Sequence, residues 1–177
     1  GAVIIGEGDI KLTGGSLQAS GPALLARTAG GAQARFDIAG TQLSSDSGTL
    51  LEADRSAHEL GDGIITLTHR DGAQAKGDIL DLGEKNEGFT TVTIDAARLD
   101  GAIRGVDYLT LAGGATWVAT SAEASGTVLI GENGATISVA SEVLLDADLA
   151  GESDLAKAGA GRLSFAGGGG RYTGTYK

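Results

Sequence analysis

Apolar and polar residues alternate in short runs along the chain. Examples are Ile10-Lys11-Leu12, Phe36-Asp37-Ile38, Ile65-Thr66-Leu67, Val92-Thr93-Ile94 and Leu109-Thr110-Leu111. A period of two is that of a β-strand with one face in a core. Turn-forming residues bound the runs: Gly14-Gly15, Asp46-Ser47-Gly48, Asp71-Gly72, Gly113-Gly114 and Glu132-Asn133-Gly134. No stretch of ten or more residues shows a clear helical period of about 3.6. The best helical candidate is Leu51 to Leu60, ended by Asp62-Gly63.

The runs repeat. Ile10 matches Phe36, Leu12 matches Ile38, Gly14 matches Gly40 and Leu17 matches Leu43, each at an offset of 26. Leu24 and Leu25 match Leu50 and Leu51 at the same offset. The offset then drifts. Ile65-Thr66-Leu67 follows Phe36-Asp37-Ile38 at 29, and Ile79-Leu80 follows Leu50-Leu51 at 29. Val92-Thr93-Ile94 follows at 27, Leu109-Thr110-Leu111 at 17 and Val128-Leu129-Ile130 at 19, with Leu163-Ser164-Phe165 as a late member. Drift is what turns produce when they accept insertions and strands do not.

Short strands at this spacing, with no helices between them, leave few architectures. A propeller blade needs roughly 40–45 residues. A sandwich is built from antiparallel hairpins and has no use for a 26-residue period. The reading is all-β: a right-handed parallel β-helix, one solenoid segment over residues 1–177 and a fragment of a longer chain. Coils then stack about 4.8 Å apart and equivalent residues form ladders. Ile10, Phe36, Ile65 and Val92 are expected in one inward stack, with Leu12, Ile38, Leu67 and Ile94 beside it. One coil cannot offset its own ordering entropy, so stability is shared between neighbours.

Composition agrees with this picture. Glycine reaches 31 of 177 residues, which supplies corners, and hydrophobic residues at 41% supply a core. The net charge of −10 argues against nucleic acid and anionic lipid as partners. No apolar run approaches the roughly 18 residues of a membrane helix. With no cysteine there are no disulfides, thiolate nucleophiles or Cys-based metal sites. Residue 1 is Gly, Met is absent and no signal peptide is present, so the chain reads as a mature segment cut from a longer one.

Candidate chemistry is sparse. His58 and His69 are the histidines, neither in a metal-binding spacing, and both read as surface or loop residues. Ser16 follows two glycines, but Leu17-Gln18 breaks the nucleophile-elbow pattern. Gly167 to Gly170 does not open a helix, so a phosphate loop is unsupported. Gly6-Glu7-Gly8-Asp9 and Gly61-Asp62-Gly63 are fragments of a calcium nonapeptide at most, and turn chemistry accounts for both. Asp146 and Asp148 read as a solvated face. Lys76-Gly77-Asp78 is an integrin-ligand-like tripeptide expected in a turn. Asp95, Asp100 and Asp107 are the carboxylates available for a polysaccharide lyase, hydrolase or tailspike-like groove. Few aromatics exist to stack on sugar rings. Trp117 is expected to pack inward at a coil corner, and Tyr172 and Tyr176 to cover the last coil. The long turns Gly48 to Gly63 and Asp71 to Gly88 are the expected contact loops, because insertions there break the period.

Two segments carry a resemblance. Val106 to Trp117, followed by Gly126-Thr127-Val128-Leu129-Ile130, resembles late passenger coils of pertactin-like autotransporters, and Val92 to Ile103 resembles the coil before them. Leu155-Ala156-Lys157-Ala158-Gly159-Ala160-Gly161-Arg162-Leu163-Ser164-Phe165, then Tyr172-Thr173-Gly174-Thr175, is similar to the passenger-associated repeat of that family. Phe165 replaces the usual aliphatic, and Gly168-Gly169-Gly170-Arg171 the usual Asn-bearing turn. The matches cover about the last 85 residues, with residues 149–175 the most specific.

The resemblance implies a passenger exported by type V secretion to the bacterial cell surface or outer membrane, or released from it. It implies a non-enzymatic role in adhesion or host interaction and virulence, with a host receptor, matrix protein or neighbouring cell as partner. Its own outer-membrane barrel is the further implied partner. A second reading makes residues 149–175 a folding nucleus that supports secretion, and a third makes the rod carbohydrate-active. No catalytic, cofactor-binding or metal-binding residue is assigned, and no cofactor is expected.

Overall fold

The structure is a computed structural model that describes residues 3–28, 31–54, 63–83, 88–123 and 126–177. Among these residues it is all-β, and every strand pairing is parallel. The short strand β1 (Val3–Ile5) precedes β2 (Gly8–Thr13), β3 (Ser16–Ala19) and β4 (Leu24–Arg27). The second coil holds β5 (Gln33–Ala39) and the long β6 (Gln42–Asp54), and the third β7 (Ile64–Arg70) and β8 (Gln74–Asp81). Then follow β9 (Phe89–Asp95), β10 (Arg98–Asp100) and β11 (Ile103–Arg104). The fifth coil is β12 (Tyr108–Ala112), β13 (Ala115–Ala119) and β14 (Ala122–Glu123). The sixth is β15 (Gly126–Ile130), β16 (Ala135–Val139) and β17 (Val143–Leu145). The seventh is β18 (Ala147–Gly151), β19 (Leu155–Ala158) and β20 (Leu163–Phe165), and β21 (Arg171–Tyr172) starts the next.

The fold is a parallel β-helix. Strands β2, β5, β7, β9, β12, β15, β18 and β21 form the first face, in that order. The second face runs β3, β6, β8, β10, β13, β16, β19. Strands β4, β11 and β14, with the distal halves of β6 and β8, make a third face. Strands β17 and β20 pair as a separate two-stranded sheet.

Successive coils keep their residues in register. One inward column of the first face is Ile10, Phe36, Leu67, Val92, Leu109, Val128 and Leu149. Beside it run Leu12, Ile38, His69, Ile94, Leu111 and Ile130. Alternate residues of the first-face strands therefore enter one continuous apolar core, as the two-residue period demands.

The register differs from the expected one at four places, one of them Ile79 and Leu80, which pair with Leu51 and Glu52 at an offset of 28 and not with Leu50 and Leu51. Phe36 lies opposite Leu67, and Ile65 lies opposite Ala34, so the third coil is displaced by two residues. Ile65, Leu67 and His69 all point inward, and a two-residue shift keeps inward residues inward, so hydrophobic matching alone does not distinguish the alternatives. Leu24 pairs with Leu51 and Leu25 with Glu52, one residue later than the sequence match, because β6 is lengthened before Leu51. Leu163-Ser164-Phe165 pairs with Val143-Leu144-Leu145, so the late member of the first-face column is Leu149. The helical candidate is also corrected. Leu51 to Asp54 closes β6, and the remainder, with His58, lies outside the described residues.

Candidate functional site

A trough of about 450 Å³ lies open on the second face. Its floor is two outward columns. The first is Ser16, Gln42, Gln74 and Arg98 in direct register. The second is Gln18, Ser44, Lys76 and Asp100. Between them lie the inward Leu17, Leu43 and Ala75, which anchor the floor to the core. Every outward position carries a hydrogen-bonding group, and the coil stacking repeats these groups about every 4.8 Å.

An irregularity in β6 forms one wall. From Ser44 to Thr49 β6 takes five steps where β8 takes two, from Lys76 to Asp78. The surplus residues Asp46, Ser47 and Gly48 are exposed. Gly48 has φ of 82°, which lets the chain double back without a Cβ penalty. The ridge is ordered by its own hydroxyls. Ser45 Oγ donates to the Gly21 carbonyl at 2.7 Å and lies 2.8 Å from Ser47 Oγ. Gln18 Nε2 donates to Asp46 Oδ1 at 2.9 Å, which ties ridge to floor.

The floor carries two cations, Lys76 and Arg98, and one anion, Asp100. Arg98 clasps Asp100 with two nitrogens, Nε to Oδ1 at 2.8 Å and Nη2 to Oδ2 at 3.1 Å. Lys76 sits beside Asp100 in the same column.

The three carboxylates singled out for glycoside chemistry do not converge. Asp95 ends β9 on the first face, Asp100 lies in the trough, and Asp107 precedes β12 at the corner leading into the first face. Asp107 Oδ2 accepts the Thr90 backbone N–H at 2.8 Å, so it fixes that corner. Lys76-Gly77-Asp78 lies inside β8 and not in a turn, and Asp78 Oδ1 accepts the Ala102 N–H of the next coil at 2.8 Å. The carboxylate of that tripeptide thus binds the rod itself.

His69 is neither a surface nor a loop residue. It lies in β7, 3% exposed, in the inward column between Ile38 and Ile94. Its Nε2 is 3.2 Å from the Arg98 carbonyl oxygen. Burial pushes its pKa down, against the carbonyls of Arg98 and Ala73, which favour the proton. Trp117 does point inward, but from the middle of β13 and not from a corner, and its Nε1 donates to the Gly101 carbonyl at 2.9 Å.

Among the described residues the predicted contact loops are largely strand. Gly48 to Asp54 belongs to β6 and Gln74 to Asp81 is β8, while residues 55–62 and 84–87 lie outside the described residues. Asp148 accepts the Gly168 N–H at 2.6 Å and faces Arg171, so it joins the last coils. Tyr172 and Tyr176 meet there with ring centroids 4.9 Å apart, and the Tyr172 hydroxyl donates to the Ser153 carbonyl at 3.0 Å. Lys177 pairs with Asp154 and holds its carboxyl below the usual range. Among the described residues no group of three or more His, Asp or Glu is placed to hold a metal ion. Among the described residues no helix is long and apolar enough to cross a membrane.

Sequence reasoning missed the trough. Its signal was available: Gln18 and Ser44 sit at the same 26-residue offset as the core leucines Leu17 and Leu43. Apolar matches define the core, and the polar match beside them defines the trough floor.

No family model, curated protein or solved structure matches the chain.

Proposed function

We propose that the chain is a non-enzymatic segment of a bacterial surface passenger, of the pertactin-like autotransporter kind. It acts as a stiff rod that presents a binding face in adhesion or host interaction. One observation carries this reading. The coils hold register along the rod, and their outward columns on the second face compose an open polar trough walled by the β6 ridge. Parallel ladders stiffen the support, and a shallow, solvent-open trough serves binding better than a reaction that must exclude water.

The partner is a host receptor, a matrix component or a neighbouring cell, and the chain's own barrel anchors it at the outer membrane. The test is display of the full chain on a non-adherent bacterium, followed by attachment to matrix-coated and epithelial surfaces. Attachment is expected, and it should fall when Asp46-Ser47-Gly48 is deleted to match the length of β8. Display without attachment to any surface would remove the reading.

A second reading rests on the final coils. Residues 149–175 contain the Gly159 and Gly161 corner and the Tyr172 hydroxyl bonds, and Arg171 ties them back to Asp148 just before, a compact set of contacts within the resemblance motif. As a folding nucleus, this segment should be required for display. Its deletion with display unchanged would count against that role.

A further inference from the structure

The trough on the second face also indicates what it binds. This inference rests on the adhesive reading above and narrows it to a ligand class. The geometry points to an extended, uncharged oligosaccharide lying along the rod axis across β3, β6, β8 and β10.

Three observations select this class. The first is repeat distance. The floor presents equivalent positions, each with a polar group, about every 4.8 Å, once per coil. An extended β-1,4-linked hexose chain advances one sugar in nearly that distance. Each sugar can then meet the same pair of columns: Gln42 with Ser44, then Gln74 with Lys76. An extended peptide advances about 3.3 Å per residue and falls out of step.

The second is the chemistry of the floor. Gln42 and Gln74 each offer donors and an acceptor, Ser44 offers a hydroxyl, and the Arg98 guanidinium paired with Asp100 adds further donors. Polyhydroxyl ligands need such mixed groups. A protein partner would instead be anchored by aromatic or large apolar side chains, which the outward columns lack. The exposed aromatic pair, Phe89 with Tyr108, belongs to the first-face side of the rod.

The third is charge. Lys76 and Arg98 against Asp100 leave the floor with one net positive charge, which Asp46 on the ridge offsets, and the chain as a whole carries −10. A polyanionic glycan would be repelled by the whole molecule and gain little in the trough. The site is open and offers no ring to stack on, so affinity is set by hydrogen bonds alone, with Kd on the order of 0.1–1 mM.

The experiment titrates the full chain by NMR and calorimetry with hexasaccharides of β-1,4-glucan, mannan and galactan, and with hyaluronan and heparin hexasaccharides. At least one neutral chain should bind. The double variant Gln74→Ala, Lys76→Ala should weaken it about tenfold or more. Both positions are exposed, so circular dichroism and melting should be unchanged. Thr93→Ala on the first face should leave binding intact. Binding of anionic chains only, no neutral binding at all, or neutral binding indifferent to the double variant would each overturn the inference. Attachment of displayed cells that needs the trough, without any oligosaccharide binding, would overturn the ligand class and leave the adhesive reading standing. Oligosaccharide binding by a chain that confers no attachment would do the opposite.

Discussion

His69 Nε2 lies 3.2 Å from the carbonyl oxygen of Arg98, one coil further along the rod. A carbonyl only accepts, so this nitrogen carries the proton of the neutral ring. The imidazole is enclosed by the first-face core, with Ile38 and Ile94 as its column neighbours. Burial lowers its pKa below the ordinary 6.5. The unfolded chain therefore binds the proton more readily than the folded one. Stability is complete above about pH 6.5 and declines as pH falls from there toward the depressed folded value. Urea titrations at pH 7.5 and 5.5 should show a lower midpoint at the acid value. His69→Leu, which continues the aliphatic column, should lose most of that difference. An equal acid loss in the variant would assign the effect elsewhere.

The Arg70–Asp37 pair answers to a different pH window. Arg70 Nε donates to Asp37 Oδ1 at 2.7 Å and Nη2 to Oδ2 at 3.0 Å, a two-pronged clasp on the outer side of the first face. The hydrogen bond from Arg70 holds the Asp37 carboxyl below its ordinary 3.8. Its stabilisation is present above that value and lost as pH falls below it. The pair is about one-third exposed, so solvent screens it. Asp37→Asn should cost about 0.2–1 kcal/mol at neutral pH, and less in 1 M salt. The readout is the urea midpoint at two ionic strengths.

How much of this was legible in the sequence depends on what each residue's neighbours fix. Leu17 over Leu43 and Val92 over Leu109 were readable because unbroken strands carry the match forward. Phe36 over Leu67 was not, since Ile65, Leu67 and His69 are all inward and the shift between them is decided by the length of the preceding turn. His69 read as a loop residue because polarity hid its inward position. The trough was readable only at its first step, Gln18 over Ser44. It needs Ser16, Gln42, Gln74 and Arg98 to align across four coils, and the offsets joining them change each time.

Trp117 is the sole tryptophan and is fully buried, so it reports on the core directly. Its emission should be blue-shifted in the folded chain and move to the red in a single step with denaturant. Trp117→Ala removes a large side chain from β13 and leaves the Gly101 carbonyl without its indole donor. A loss of about 3–5 kcal/mol is expected. Trp117→Phe should cost less, because most of the volume remains and only the hydrogen bond goes. Equal losses in the two variants would mean that the hydrogen bond, not the volume, dominates.

Gly126 opens β15 with φ of 121°, outside the range that L side chains adopt readily. A Cβ there would also run into the backbone carbonyl of Asp107 in the coil before. The two penalties act together, because the coils stack too closely for the carbonyl to retreat while Thr127 N–H bonds to it at 2.9 Å. Gly14 is the useful contrast. Its φ is 66°, and an added Cβ would meet nothing within 4 Å. Gly14→Ala should therefore cost only the left-handed backbone penalty, about 1–2 kcal/mol. Gly126→Ala should cost more, about 3 kcal/mol or above, since a packed neighbour has to move as well. Chemical denaturation of both variants measures the gap. If Gly126→Ala were as mild as Gly14→Ala, the coil spacing at this corner would have to be looser than the stacking of β12 on β15 describes.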